Sequence, residues 1–276
     1  MITIIHDHPR TRAQGYVMDR LIREAGLVCA EMTRGIAHPE LLKNEVFIVM
    51  GNRSLRDLGY PEGIPYWRGS MLDGPNGSLI IPTYGPGDII SDWSLRATVL
   101  HDLRRAVAES HERTKKPEWK FIIEPSFGEV LTRLESFWLM LCWPKKVKLS
   151  YDIETANGHV LCIGVAWSST EALCIPFVRG TEPYWDEAQE AEIIFSLYRI
   201  MTHPNFLGIG QNLLFDDQYI AKRWGFRPRH HLDTMIASHT MFSSQPKSLD
   251  HLASLHCSHF IQWKERKRFK QLKEED

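Results

Sequence analysis

The most constraining feature of this 276-residue chain is a run of three apolar segments, followed by a helix pattern and a fourth apolar segment. Short turns separate the first three, which favours antiparallel neighbouring strands. After the helix pattern, a right-handed crossover places the fourth segment parallel to the first and beside it. The second half is therefore predicted to be an α/β domain with a mixed parallel and antiparallel sheet. Its strands are residues 147–153, 159–167, 172–177 and Phe206–Gly210, and its helix covers 186–201.

Composition narrows the class of protein. The chain is 43% hydrophobic and 24% charged, which excludes disordered, collagen-like and long coiled-coil proteins. Lys plus Arg is 33 and Asp plus Glu is 34, so binding of DNA by bulk charge alone is excluded, although a nucleic-acid enzyme is not. The five cysteines are scattered without a CxxC pair, and no apolar run approaches the roughly 18 residues of a membrane span. We expect a cytoplasmic protein with reduced thiols.

The first half alternates strand and helix patterns and predicts a smaller α/β layer structure. Strand patterns at 2–5 and 45–50 flank an amphipathic helix that ends at Gly26. Residues 111–118 are polar and contain Pro117, which indicates a connection between domains. We expect a domain over residues 1–112, a connecting segment over 113–144 and a second domain over 145–276.

Two acids end the first strand of the second half. Asp152 and Glu154 are two residues apart, so both point to one face of the strand while Ile153 points to the core. Two carboxylates held together are costly unless something neutralises them, and a divalent cation does so. The alternative is a solvated strand end with incidental acids.

A third acid, Asp216, follows Phe206–Gly210 at the start of the next helix. Because this strand is predicted to lie beside 147–153, Asp216 is expected to face Asp152 and Glu154 at the end of the sheet. The alternative is a helix N-terminal acid favoured by the helix dipole. Carboxylates suit Mg²⁺ or Mn²⁺, and two such ions about 4 Å apart can activate water and stabilise a leaving oxygen.

These segments resemble a known family. Residues 151–155 (YDIET) and 210–216 (GQNLLFD) look like the first and second motifs of the DEDD 3′-5′ exonucleases, and most closely the proofreading domain of family A DNA polymerases. Residues 232–239 (LDTMIASH) and 248–253 (SLDHLA) are similar to the helical segments that follow in that family. The resemblance covers about 145–263. It implies a ribonuclease H-like fold and two-metal hydrolysis of the 3′-terminal phosphodiester of DNA.

The resemblance also implies residue roles. Asp152 would bridge two Mg²⁺ or Mn²⁺ ions, Glu154 would hold one ion and orient the attacking water, and Asp216 would bind the other ion. Substrate positioning falls to Thr155, Asn212 and Phe215. The implied partners are the single-stranded 3′ end of DNA and a polymerase domain encoded downstream.

One part of the family's pattern is missing. Its third motif is a helical Asp with a Tyr or His about four residues before it, and residues 263–276 contain no Tyr-xxx-Asp. Asp233 and Asp250 match other positions of the pattern and are not assigned to the site. Two alternatives remain open. The chain is an amino-terminal piece of a longer phage-like polymerase, with weak or absent activity alone, or it is a catalytically incomplete DNA-binding fragment.

The first half resembles a uracil-DNA glycosylase domain over about 1–112. The similar segments are 45–51 (EVFIVMG), 66–69 (YWRG) and 79–87 (LIIPTYGPG). Gly85 stands where the family has the histidine that stabilises the departing base, and His6-Asp7-His8-Pro9 replaces its Gly-rich, acid-containing loop. We therefore expect a glycosylase-like fold that does not excise uracil and that touches DNA through its loops. An active uracil-DNA glycosylase is the alternative.

Overall fold

The computed structural model describes residues 2–7, 11–27, 31–34 and 46–263, so His8 and residues 264–276 lie outside the described residues. The chain divides into two compact units. The first comprises residues up to Lys116 together with those from Ser244, and the second comprises Pro117–Ser243. In the described part, no helix combines the length and the apolar character needed to cross a membrane.

The first unit is built on a five-stranded sheet in the order β2-β1-β3-β5-β4. The first four of these strands pair in parallel, and β4 is antiparallel to β5. The strands are β1 (Ile2–His6), β2 (Glu31–Arg34), β3 (Val46–Val49), β4 (Leu72–Asp73) and β5 (Leu79–Pro82). The helices that precede the second unit are α1 (Arg12–Ala25), α2 (Asn52–Asp57), α3 (Ile64–Trp67), α4 (Pro86–Ser91) and α5 (Leu95–His111).

The second unit holds a six-stranded sheet in the order β13-β12-β7-β8-β9-β6. Its strands are β6 (Lys120–Ile122), β7 (Val147–Ala156), β8 (His159–Ala166), β9 (Glu171–Pro176), β12 (Phe206–Gly210) and β13 (His230–Asp233). A short hairpin is formed by β10 (Val178–Arg179) and β11 (Glu182–Pro183). The helices are α6 (Phe127–Cys142), α7 (Glu187–Met201), α8 (Leu213–Trp224) and α9 (Thr234–Met241).

The predicted mixed sheet of the second half is confirmed. β8 is antiparallel to β7 and to β9, while β12 is parallel to β7 and carries β13 parallel on its outer side. This arrangement is consistent with a ribonuclease H-like fold. The other edge is β6, which pairs in parallel with β9. Both β6 and α6 fall within residues 113–144, which the sequence assigns to a connecting segment, whereas the boundary between the compact units follows Lys116.

Residues that follow the second unit return to the first. The helix α10 (Leu249–His256) and its flanks belong to the first unit, although they are expected in the second domain. The amide of Met71 donates to the Phe260 carbonyl at 2.7 Å, and Arg105 donates to the Cys257 carbonyl at 2.9 Å. These bonds join positions more than 150 residues apart, so a local sequence pattern carries no signal of them.

Candidate active site

The candidate site is built on the alternation of β7. Tyr151 and Ile153 are buried in the core, at 2% and 4% exposure, while Asp152 and Glu154 are exposed on the opposite face. The predicted placement of both carboxylates on one face is therefore observed. The pairing of β7 with β8 is irregular between Glu154 and Thr155, which marks a bulge directly after the second acid. Bulges of this kind change the direction of neighbouring side chains.

Asp216 lies in the first turn of α8 and its side chain turns inward. It is 3% exposed, and its Oδ1 accepts a hydrogen bond from the Ile153 amide at 2.8 Å. That amide belongs to the residue between Asp152 and Glu154, so the hydrogen bond joins the two segments that carry the acids. Burial raises the pKa of Asp216 to about 6, against the opposing Ile153 hydrogen bond, and the negative charge of Asp152 raises it further.

The three carboxylates do not form a ready-made metal cluster. Across residues 46–263 and the shorter described ranges before them, no three His, Cys, Asp or Glu side chains converge closely enough to hold an ion. Their chemistry nevertheless fits Mg²⁺ or Mn²⁺, because all three offer hard oxygen ligands and a cation would relieve the repulsion between Asp152 and Asp216. A carboxylate has two oxygens, so Asp216 can keep Oδ1 on the Ile153 amide and offer Oδ2 to an ion.

The loop that presents the second motif is held by Asp233. Its carboxylate accepts from the amides of Asn212 at 3.1 Å and Leu213 at 2.8 Å, where α8 begins. It also accepts from the amides of Met235 at 2.9 Å and Ile236 at 3.2 Å, where α9 begins. One side chain therefore satisfies amides at the start of two helices, which are otherwise without intrahelical partners. Asp233 is a structural anchor of the site.

A second polar cluster consists of Tyr151, Asp217 and His230. The Tyr151 hydroxyl donates to Asp217 Oδ1 at 2.8 Å, and His230 forms an ion pair with the other oxygen of Asp217. Burial raises the pKa of Tyr151, and the charge of Asp217 raises it further. This cluster links β7, α8 and β13, so Asp216 and Asp217 have separate tasks despite being adjacent. Asp216 accepts from the Ile153 amide between the two acids, whereas Asp217 accepts from the buried Tyr151 hydroxyl.

The predicted substrate-positioning residues lie around these acids. Asn212 has a left-handed backbone with φ of 59° and an exposed side chain at the start of α8. Phe215 is 43% exposed and its ring packs against Tyr219, with centroids 4.9 Å apart. Thr155 follows the bulge in β7 and is partly exposed. Their roles in substrate binding stay predictions.

Two thiols border the acid pair on β8 and β9. Cys162 lies directly opposite Glu154 in the antiparallel register, and Cys174 lies opposite Gly164, which is itself opposite Asp152. The Cys162 thiol donates a hydrogen bond to Cys174, which lowers the pKa of Cys174 to about 7 and raises that of Cys162. Both side chains are partly exposed.

The strand ends of the first unit surround a cavity of about 510 Å³, lined by His6, Asp7, Met50, Arg56, Gly85 and neighbouring residues. Asp7 follows β1, and its carboxylate accepts from the amides of Arg53 and Ser54 at 2.7 and 2.8 Å and from the Ser54 hydroxyl at 2.6 Å. It therefore caps α2. The amide of Gly85 donates to Asp88 at the start of α4. Gly85 offers no side chain to the cavity.

Sequence reasoning missed three residues that shape the site. Tyr151 and Asp217 carry a weak signal, because each is a polar residue at a position that the strand or helix period turns inward. His230 carries none, since β13 is exposed along most of its length and has no apolar alternation. Asp233 is recognised as part of the family's pattern, but its double capping role depends on the pairing of β12 with β13.

No family model matches the sequence, and no curated protein sequence matches it. Similar solved structures include the catalytic core of RRP6 from Trypanosoma brucei, with 10% identity over 54% of this chain and 37% of that chain and a TM-score of 0.41. Escherichia coli RNase D, an exoribonuclease involved in structured RNA processing, shares 11% identity over 54% of this chain and 36% of that chain, with a TM-score of 0.38. Brucella melitensis NrnC with bound Mg²⁺ shares 17% identity over 44% of this chain and 61% of that chain, with a TM-score of 0.34.

The chain spans less than two thirds of the length of each of these proteins. TM-scores of this size carry no argument about chemistry. Residue roles in this chain therefore rest on its own geometry.

Proposed function

We propose that the second unit is a metal-dependent 3′-5′ exonuclease module that hydrolyses the terminal phosphodiester of single-stranded DNA. The observation that carries the proposal is the hydrogen bond from the Ile153 amide to Asp216 Oδ1, at 2.8 Å. It joins the second acidic motif to the peptide between Asp152 and Glu154. Asp152, Glu154 and Asp216 therefore lie on segments that this hydrogen bond joins, and binding of an ion would require the three described side chains to move closer together.

The residues divide the chemistry between them. Asp152, Glu154 and Asp216 would hold two Mg²⁺ or Mn²⁺ ions, which supply an activated water and stabilise the leaving 3′ oxygen. The exposed acids on β7 are open to a phosphate from solvent, whereas the buried Asp216 is fixed by the Ile153 amide. Asp233 keeps the start of α8 in place beneath Asp216.

The substrate side of the proposal rests on exposed groups. Phe215, exposed and backed by Tyr219, offers a face on which a terminal base can stack. Asn212, which precedes Asp216 in the chain, and Thr155, which follows Glu154, offer polar side chains to a substrate. DNA as the preferred substrate and a family A polymerase as the wider context both follow from the motif resemblance, and they belong to this proposal.

The experiment follows a 5′-labelled single-stranded DNA oligonucleotide with the full chain in Mg²⁺ or Mn²⁺. We expect products that shorten from the 3′ end, and loss of this activity in Asp152→Ala and Asp216→Asn. Since outer partners of metal ligands typically contribute about 10–100-fold, replacing a ligand should lower the rate by about 100-fold or more. Glu182→Gln, an exposed acid on β11, is the matched control and should retain the parent rate. Parent activity in Asp152→Ala would contradict the assignment.

A second function has its own support. The described residues contain no group of three side chains placed to hold a metal ion, so a catalytically incomplete DNA-binding fragment is the competing proposal. It predicts salt-sensitive binding of single-stranded DNA and no cleavage even in Mn²⁺. Mn²⁺ binding that Asp152→Ala abolishes, without product, would favour this fragment over the active exonuclease. Absence of both binding and cleavage would defeat both proposals.

The first unit supports binding rather than base excision. Asp7 is engaged by three donors, and Gly85 brings no side chain to the cavity. We infer that the unit releases no uracil from a uracil-containing oligonucleotide. Formation of abasic sites by the purified chain would overturn that inference.

A further inference from the structure

The two thiols beside the acid pair form a distinct feature that the proposed chemistry does not use. Cys162 and Cys174 lie on neighbouring strands of one sheet, on the face that carries Asp152 and Glu154. Both side chains are partly exposed. Cys142 and Cys257, by comparison, lie outside this sheet face, on α6 and after α10.

We propose that Cys162 and Cys174 are a reversible oxidation site, and that their disulfide disturbs Glu154 and thereby lowers divalent-metal binding at the acid pair. The first part concerns the thiols alone. The second part rests on the proposed function, because it requires that Glu154 is a metal ligand.

The position of the pair explains why a disulfide here would be labile. The two residues are diagonal rather than directly opposite, since Cys162 pairs with Pro176 and Cys174 pairs with Gly164. Diagonal positions on antiparallel strands are roughly 7–8 Å apart, whereas the Cα atoms that a disulfide joins are roughly 4.4–6.8 Å apart. Oxidation must therefore draw β8 and β9 together locally. Strained and accessible disulfides are the easily reduced ones.

The same movement reaches the acid pair. Cys162 is the direct cross-strand partner of Glu154, and the irregularity in the β7–β8 register begins immediately after that pair. A strand is most easily deformed at a bulge, because the regular hydrogen-bond ladder is already interrupted there. A pull on Cys162 is therefore transmitted to Glu154. Asp152 is less affected, because Gly164 separates it from Cys174.

The oxidation requires a peroxide as co-reactant, and its balance is simple. The Cys174 sulfur attacks one peroxide oxygen, so an S–O bond forms and the O–O bond breaks, and the departing hydroxide takes the Cys174 thiol proton and leaves as the first water. The Cys162 sulfur then attacks the Cys174 sulfur, so the S–S bond forms and the S–O bond breaks. The released hydroxide takes the remaining thiol proton as the second water. Two thiols are oxidised and one hydrogen peroxide is reduced.

The test uses a full-length variant in which Cys29, Cys142 and Cys257 are Ser, so that Cys162 and Cys174 are the remaining thiols. After hydrogen peroxide, intact mass should fall by two hydrogen atoms, both free thiols should disappear in a denaturing thiol assay, and dithiothreitol should restore them. Peptide mapping should recover one cross-linked peptide pair. The control also carries Cys174→Ser, and it should form no intramolecular cross-link. Circular dichroism confirms that each variant is folded, and the unsubstituted chain repeats the mapping.

Functional coupling is measured as Mn²⁺ binding to the oxidised and the reduced protein, together with release of 3′ nucleotides. We expect oxidation to weaken Mn²⁺ binding by about 10-fold and dithiothreitol to reverse it. Two retained thiols after peroxide would overturn the oxidation site, even if the chain is an active nuclease. A disulfide that leaves Mn²⁺ affinity unchanged would overturn the coupling. A disulfide in a chain that binds no Mn²⁺ in either state would refute the proposed function and the coupling while the oxidation site stands.

Discussion

The sheets of the two units use aspartate in opposite ways. In the first unit, Asp7 follows β1. Its carboxylate accepts from the Arg53 and Ser54 amides and the Ser54 hydroxyl, and it thereby caps α2. In the second unit, Asp152 is exposed on β7, and a different residue, Asp233, caps α8 and α9. Whether an aspartate on or beside a sheet caps a helix or stays exposed therefore depends on where the backbone amides find their acceptors.

The largest effect is expected at Asp233, because it serves two helices. Asp233→Ala would leave the amides at the start of α8 and α9 without their acceptor, and we expect a loss of about 2–4 kcal/mol in the free energy of unfolding of the second unit. Urea denaturation with hydrogen exchange resolved by unit would measure it. Asp233→Asn keeps an acceptor oxygen and should recover part of the loss. An unchanged unfolding midpoint in Asp233→Ala would show that the double cap is unimportant.

A smaller effect on stability should distinguish substitution of Asp7 from substitution of Asp152. Asp7→Ala should destabilise the first unit by about 2 kcal/mol, since it removes a charged cap. Asp152→Asn should leave stability unchanged or raise it slightly, because it removes a repulsive charge near Asp216. Thermal unfolding of the two variants beside the parent checks both directions. If Asp152→Asn destabilises as much as Asp7→Ala, the contrast between a structural and a chemical acid is wrong.

A further effect is a pH dependence of the stability of the first unit. Burial lowers the pKa of His101 and of His251 from 6.5 to about 4, with Arg68 contributing to both and Arg105 to that of His101. The Nε2 atom of each is buried without a hydrogen-bond partner. A lowered pKa means that the stability contribution is present above pH 6.5 and is lost as the pH falls from 6.5 to 4.

Hydrogen exchange at pH 7 and pH 5 tests this dependence. Protection factors, which correct for the slower intrinsic amide exchange in acid, should fall in α5 and α10 at pH 5, and the double variant His101→Gln with His251→Gln should lose much of that response. Equal acid sensitivity in the parent and the double variant would remove both histidines from the explanation.

Sequence alone was sufficient where structure is local. The helix α7 begins within one residue of its predicted start, because Asp186 and Gln189 form a capping box that fixes the first turn. The acids of β7 were placed by strand alternation, and Asp216 by the crossover to β12. The first two signals lie within one element, and the third depends on the crossover through α7 that brings β12 beside β7.

Sequence was insufficient where structure is nonlocal or the element is short. The strand β13 is polar and largely exposed, so no alternation marks it. The helices α2 and α4 have six residues each and flank or end a Gly- and Pro-rich stretch that conceals them. The parallel pairing of β6 with β9 crosses about fifty residues of chain, and no turn signal specifies such a pairing.

The return of residues 244–263 to the first unit has a consequence for how the protein can be divided. The chain leaves the first unit after Lys116 and re-enters it at Ser244, so the second unit is an insertion with two covalent connections. A fragment that starts at residue 145 would lack β6 and α6 and would carry α10 away from its partners around Met71 and Arg105. The hydrophobic core of each unit stays whole if Pro117–Ser243 is excised. The two flanking pieces are then rejoined by a short linker.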